Sequence, residues 1–597
     1  MAALEDHNLC KSISQLAIAG KESEKALRAR ARKYLQDIAA DYNGQWLNIW
    51  DRILTSLWQV LYDAFVVDQE GMVIIQEITR RMPCVIIPCH RSHVDYLILS
   101  HLFYKQKMPL PHIAAGDNMN FWPLGYIFRH SGAFFLRRSF RGDDLYREVF
   151  TAYLKCLLQQ GTLIEFFLEG GRSRTGKMLV PKYGILSMIM RSYQDGIGDD
   201  LALIPVYLGY DRIIEENSYL KELRGAKKKT ESVSDLLKST TIMRRRYGNV
   251  YVNIGTPIFL KSYLEEQPQP FTDMTVNEQQ ALYRNIGAKV ISEINRVSVV
   301  TPIALAAVSL LCFAGKEVAM DMLMSTFAVF YDYLRSREVN FSPHMTKAEE
   351  TILPVLALLK QWGLLACQNQ ADGNRGRYSI PEEKRLHLEY YKNNIMHHLL
   401  PVCFVSLSIL SRQEKATIAL IREDCLFLKN LLREEFSWEE GADSEVEEVL
   451  SYLEESGLII CGEGRVACQK KEARRTLEAF AGLLGSWLEA YGVVLKAFSL
   501  PEKAWTTGRD LPDELLCLAE GMYGKAIISR AESLSREYYK NALNLLRHEG
   551  IISKWEDRQE ETEHDVVRIN DEERLAGLSD RLTKLIEPTK VLHCLPC

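Results

Sequence analysis

The chain has no surplus of positive charge. Lys and Arg number 73 against 78 Asp and Glu, a formal net charge of −5. That argues against a dedicated nucleic-acid binder, although a local basic patch can still serve an anionic ligand or a membrane. A disulfide framework is missing too: the 13 cysteines are odd in number and scattered. So is a basic and then apolar opening, since Met1 is followed by Ala-Ala-Leu-Glu-Asp, and no signal segment is expected. These absences make a reducing, cytoplasmic setting the default. Biased composition is also lacking. Hydrophobic residues at 47% and charged residues at 25% exclude a disordered or collagen-like chain. A length of 597 residues suggests about two to four domains.

Long apolar runs are scarce. The longest uncharged run is 297–315, 19 residues between Arg296 and Lys316. Thr301-Pro302 is a helix start, with Thr as N-cap and Pro in the first turn. The helix it opens ends near Gly315. About 13 residues at ~1.5 Å each give roughly 20 Å, short of a hydrocarbon core of roughly 30 Å. A second run, 399–411, is shorter and contains Pro401. Both are expected as buried core helices, with shallow insertion into one leaflet as the alternative.

What is present divides into three regions. Residues 1–78 read as helical, with a packed amphipathic pattern over 46–67. From 79 to 297, short apolar runs at 84–88, 112–115, 132–136, 162–168, 203–208 and 250–254 predict strands. Helical stretches at 94–104, 145–159 and 185–193 separate most of them, and the alternation implies an α/β domain with a mostly parallel sheet flanked by helices. Residues 298–597 read as mainly helical. Three segments there, 353–368, 446–463 and 543–556, repeat an apolar helix, a capping Gly and a short strand, and a second strand-like piece follows each. That is a winged-helix-like layout. Helix 445–456 carries five Glu and no Lys or Arg, the wrong sign for DNA, so packing or partner docking is expected of these units.

The chemistry is concentrated at strand ends. His90 and Asp95 are five apart, roughly 140° around a helix and on opposite faces of a strand. They meet only if the chain turns between them, and Arg91-Ser92 provides a corner between a strand ending at Pro88 and a helix starting near Val94. Asp95 could then fix the imidazole tautomer and leave the other nitrogen as a base; His93 is a rival. A second apolar strand runs into Arg137-Arg138, guanidinium groups suited to phosphate at a strand's C-terminal end. A third runs into Glu169-Gly170-Gly171-Arg172-Ser173. It contains Gly171-x4-Gly176-Lys177, but Met178 stands where a phosphate-binding loop needs Ser or Thr for Mg²⁺, which rejects a nucleotide hydrolase. The fourth piece, Ile204-Pro205-Val206, is expected to end another apolar strand. Cys89 beside the base reads as a strand-end cysteine, not a nucleophile. A basic cluster, Arg224, Lys227, Lys228, Lys229, Lys238, Arg244, Arg245 and Arg246, could contact anionic headgroups or coenzyme A phosphates. The terminal Cys594-x-x-Cys597 has no second pair to complete a metal site.

In this order the motifs resemble the glycerolipid acyltransferase superfamily. The runs at 90–100 (HRSHVDYLILS), 132–140 (GAFFLRRSF), 166–177 (FFLEGGRSRTGK) and 219–226 (YLKELRGA), with Tyr390-Tyr391-Lys392-Asn393-Asn394, most resemble bacterial-type glycerol-3-phosphate 1-O-acyltransferases. The peroxisomal dihydroxyacetone-phosphate branch is similar, but the chain ends Leu-Pro-Cys and not Ser-Lys-Leu. The resemblance implies His90 as general base oriented by Asp95, and Arg138, with Arg137 beside it in the sequence, on the acceptor phosphate. It implies that Glu169, Gly170, Gly171, Arg172 and Ser173 shape the acceptor site and that Pro205 lines the acyl-donor wall. No metal or cofactor is expected. The implied partners are glycerol 3-phosphate, an acyl thioester of coenzyme A or acyl carrier protein, and a membrane surface reached peripherally from the cytoplasmic face. That attachment would use the apolar helices at 302–313 and 399–410 and the basic segment at 224–246. Dihydroxyacetone phosphate as acceptor, or a non-catalytic docking protein, are the alternatives.

Overall fold

The computed structural model describes residues 2–20, 22–120, 124–137, 140, 142–225, 245–315, 317–368, 376–438, 445–462, 464–499, 511–556 and 565–590. The chain forms two units. The first is Met1–Arg172, Pro181–Ile214 and Thr230–Ser298; the second is Ser173–Val180, Glu215–Lys229 and Val299–Cys597.

The first unit is built on an eight-stranded sheet of β1 (Phe65–Val67), β2 (Cys84–Pro88), β3 (His112–Gly116), β4 (Ala133–Leu136), β5 (Ile164–Glu165), β6 (Ala202–Tyr210), β7 (Val250–Ile254) and β8 (Ile258–Phe259). The order is β1-β7-β6-β2-β5-β3-β4, with β8 pairing the start of β6. β6, β2, β5, β3 and β4 run parallel, while β7 and β8 run antiparallel to β6. β2 is buried along its whole length. A strand covered on both faces needs the unbroken apolar run that Cys84–Pro88 provides. Helices α1 (His7–Ile18), α2 (Glu24–Ile38), α3 (Gly44–Leu61), α4 (Gln69–Thr79), α5 (Asp95–Lys105), α6 (Leu124–His130), α7 (Asp144–Gln159) and α8 (Gly184–Gln194) also belong to this unit. α1 and α2 pack on α7, whose first turn is capped by Asp143 accepting from the Tyr146 N–H. Because β2 and β5 are parallel neighbours, the chain leaving β2 toward His90 and the chain leaving β5 toward Glu169 emerge side by side. That edge is where open α/β sheets place ligands.

Two expectations about these strands are corrected. The run at 162–168 forms only the two-residue strand Ile164–Glu165, and the rest of it already belongs to the loop that carries Glu169. Pro205 does not end a strand. It lies inside β6, which continues to Tyr210. It is tolerated there because the partner on that side changes from β7 to β8 opposite it, and its carbonyl accepts from the Gly255 N–H in the gap.

The second unit is mainly helical. Helix Ala348–Gln361 is followed by the antiparallel pair Ala366–Gln368 and Arg377–Ser379, Glu445–Glu455 by Ile460–Gly462 and Arg465–Ala467, and Arg536–His548 by Ile552–Glu556 and Asp565–Ile569. The apolar helices Pro302–Leu311 and Met396–Arg412 are core: every residue from Ile303 to Leu311 is buried, and Leu399, Leu400, Val402 and Val405 are fully covered. They are core helices as expected, and because their apolar surface is spent on neighbouring helices none of it is left for the alternative, insertion into a leaflet. No single described helix is long and apolar enough to cross a membrane.

The near phosphate-binding loop also finds its explanation in this unit. Gly176 has φ +86°, and a Cβ there would lie 2.1 Å from the Tyr390 carbonyl oxygen. Lys177 is buried, pairs with Glu435 and faces the rings of Phe436, Trp487 and Tyr538. The Asn393 amide donates to the Thr175 carbonyl at 2.8 Å. Gly-Lys here is a packing device, not a phosphate cradle.

Candidate active site

The corner after β2 closes on Asp95. The α5 N-terminus has no side-chain cap from the preceding residue. Instead Asp95, in the first turn, reaches back over the corner. Its Oδ2 accepts from His90 Nδ1 at 2.9 Å, from the Arg91 N–H at 2.7 Å and from the Ser92 N–H at 2.9 Å. Its Oδ1 accepts from the Tyr210 hydroxyl at the end of β6. Asp95 is fully buried, whereas the His90 side chain keeps 15% of its exposure. The bond to Nδ1 sets the tautomer, so the lone pair of the neutral ring lies on Nε2. It is His90, and not His93, whose ring is bonded to Asp95.

The loop after β5 supports the same residue from the other side. Glu169 is 1% exposed, and its Oε1 accepts from the His90 backbone N–H at 2.7 Å. The Phe167 ring stacks on the imidazole with centroids 3.9 Å apart. Gly170 has φ +61°, and a Cβ there would fall 2.7 Å from Lys182 Cδ. Cys89 is excluded as a nucleophile by its surroundings. Its Sγ donates to the Leu208 carbonyl at 3.3 Å and accepts from the Leu208 N–H at 3.1 Å, and burial pushes the thiol up to about 12.

The other expected residues divide. Gly171 and Arg172 continue the Glu169 loop in the first unit, but Ser173 belongs to the second, where its hydroxyl accepts from the Gly176 N–H at 3.1 Å. Arg137 follows β4, but it is engaged structurally. It lies over the rings of Tyr34 and Tyr146 and pairs with Asp143 at 3.0 Å. Arg138 lies outside the described residues, as do Lys227, Lys228, Lys229, Lys238, Arg244, Cys594 and Cys597. Among the described residues no cluster of three or more His, Cys, Asp or Glu could hold a metal ion. Sequence reasoning missed Tyr210, Phe167 and the two corner N–H groups. The signal for Tyr210 is register: Pro88 pairs with Val206 in the parallel β2–β6 ladder, so a residue four beyond Val206 reaches the level of the corner.

The parallel strands β2 to β5 and the Asp-held histidine at the end of β2 fall within residues 72–209, which match the Acyltransferase family. Residues 219–554, more than half the chain, match the family described as the glycerol-3-phosphate acyltransferase C-terminal region. Three relatives named glycerol-3-phosphate acyltransferase are similar over most of the chain. The one from Shewanella loihica is 34% identical over 514 residues, 84% of this chain and 62% of the relative. The one from Aeromonas hydrophila is 33% identical over 546 residues, 89% and 66%. The one from Shewanella woodyi is 34% identical over 561 residues, 92% and 68%. The chain belongs to the glycerol-3-phosphate acyltransferase family, and it spans about two thirds of the length of these relatives.

Proposed function

We propose that the chain transfers a fatty acyl group from a thioester to the sn-1 hydroxyl of glycerol 3-phosphate, giving lysophosphatidic acid. The observation that carries this reading is the His90 Nδ1–Asp95 bond beside a Glu169 that holds the His90 backbone. His90 Nε2 takes the hydroxyl proton as the oxygen attacks the thioester carbonyl. The tetrahedral intermediate collapses with loss of the thiolate, and the imidazolium returns the proton to that sulfur. A thioester is electrophilic enough for this direct transfer, and a positioned base is worth about 10²–10⁴-fold.

In this reading Arg138 and Arg172 meet the acceptor phosphate, as charge-assisted bonds suit that group. Gly170 and Gly171 shape the acceptor side, and Glu169 acts on it by fixing His90. Pro205 acts on the donor side through the shape of β6, and Arg137 serves through its packing. The donor is an acyl thioester of coenzyme A or of acyl carrier protein. The three helix-and-hairpin modules are read as winged-helix-like packing or docking units.

A peripheral position at a membrane surface belongs to the same proposal, since the product and one substrate are amphiphiles. Its support is α3, where Ile49, Ile53 and Val60 are 42–49% exposed and lie within about 40° of one another around the helix. Such an amphipathic face suits an interface.

The test is product formation by the purified chain with labelled glycerol 3-phosphate or labelled dihydroxyacetone phosphate, each offered with both thioesters. A glycerol 3-phosphate product formed much faster than the dihydroxyacetone phosphate product supports the reading. The reverse order moves the chain to the other acceptor.

A further inference from the structure

We propose that Tyr210 is a positioning residue that tempers the Asp95 charge behind His90 by donating to it, and that Glu165, buried on the neighbouring strand, adds no charge there because it keeps its proton. The inference rests on His90 being the base.

Asp95 collects four donors: the His90 ring, the Arg91 and Ser92 N–H groups and the Tyr210 hydroxyl. Hydrogen bonds to a carboxylate stabilise its charged form, and four of them converge on Asp95. Glu165 is in the opposite situation. It ends β5, between β2 and β3, opposite Ile86 on one side and Ile113 on the other. It is fully buried, and neither of its carboxyl oxygens has a hydrogen-bond partner among the described residues. An ionised Glu165 would be a charge without donors, beside the existing charge of Asp95. Burial first, and then Asp95, push its carboxyl well above the ordinary range. A buried carboxyl group that no donor reaches keeps its proton.

Glu169 adds a second carboxyl group, held at the His90 backbone N–H and not at the ring. Around His90 stand Asp95, Arg91 at the corner, Glu169 on its backbone N–H, and Cys89, whose buried thiol stays protonated. The Tyr62 ring lies 6.1 Å from that of Tyr210. The basicity of His90 is then set by how much of the Asp95 charge the other donors absorb. Removing the Tyr210 hydroxyl leaves more of that charge for the imidazolium and raises its pKa. Removing Glu165 as a neutral acid removes no charge at all.

The experiment titrates the His90 ring by NMR in the full chain with labelled histidine, using His90→Ala to assign the signal. The kcat/KM–pH profile is measured alongside for wild type, Tyr210→Phe and Glu165→Gln. Tyr210→Phe should move the titration and the acidic limb upward by about one pH unit. Glu165→Gln should leave both in place, while a carboxylic-acid C=O infrared band present in wild type at neutral pH disappears. A Tyr210→Phe profile that does not move overturns the proposal. So does a Glu165→Gln titration that shifts to lower pH, or a band that survives the substitution. If Glu165→Gln does not fold, Glu165→Met makes the same titration test. A His90→Ala chain that still turned over would instead sink the base assignment, and the wild-type and Tyr210→Phe titrations would still judge the charge claim separately.

Discussion

Glu169 reaches the chemistry through the backbone of another residue. Its carboxylate holds the His90 N–H, and that bond fixes where the imidazole hangs. Glu169→Ala orphans a largely buried N–H, which costs about 1–3 kcal/mol. The expected outcome is a loss of about tenfold or more in kcat with little change in KM for the acyl donor. Steady-state kinetics on both substrates checks it, and a pure KM effect would speak against the clamp. The clamp was not legible in the sequence. His90 and Asp95 were, through the resemblance of the 90–100 run to a family motif; spacing alone left His93 as a rival. Glu169 was legible only as a carboxylate beside glycines. Its partner is chosen by the adjacency of β2 and β5, which local pattern does not encode. Glu165 was hidden for a related reason: a Glu inside an apolar run reads as an interruption until its burial is known. It also carries a stability signature. With its folded pKa raised above the unfolded value, folding binds a proton between the two. Stability should therefore fall as pH rises from about 4.5 toward the folded pKa, and Glu165→Gln should remove that part of the slope in denaturant titrations.

At the scale of elements, the apolar runs located β2 and β7 as Cys84–Pro88 and Val250–Ile254, because buried strands advertise themselves by composition. β5 and Pro205 were misjudged, because strand length and the gap between β7 and β8 are set by pairing partners far along the chain. Gly176-Lys177, already set aside as a nucleotide site because of Met178, has a packing role: the residues of a phosphate loop also suit a tight turn and a buried cation. Lys177→Met leaves the Glu435 carboxylate buried without its cation, and breaking such a pair costs about 3–5 kcal/mol. Lys177→Met with Glu435→Leu should be markedly more stable than Lys177→Met alone in chemical denaturation. Equal stability of the single and the double would show that Glu435 is not left uncompensated. Gly176→Ala should lower the melting temperature for a separate reason, since its left-handed backbone and the Tyr390 carbonyl leave no room for a methyl group.

At the scale of the whole molecule, the change in hydrophobic period along the sequence separates the regions 1–78, 79–297 and 298–597, and local pattern alone does not say how such regions group into units. Membrane attachment was placed in the sequence on two apolar helices that turned out to be core, because composition alone does not distinguish a helix covered by protein from one covered by lipid. The exposed face of α3 is the element to test. Ile49→Glu with Ile53→Glu should lower flotation with both neutral and anionic vesicles, and an unchanged bound fraction would remove α3 from the account. The central claim is that His90 is the base of an acyl transfer to glycerol 3-phosphate. Its most direct measurement is lysophosphatidic acid formed from labelled glycerol 3-phosphate by purified wild type, His90→Ala and His93→Ala at saturating thioester. The account predicts product from wild type, a loss of at least about a hundredfold in His90→Ala with unchanged thermal unfolding, and a much smaller loss in His93→Ala. A His90→Ala chain that keeps its turnover, or a larger loss in His93→Ala, would contradict it.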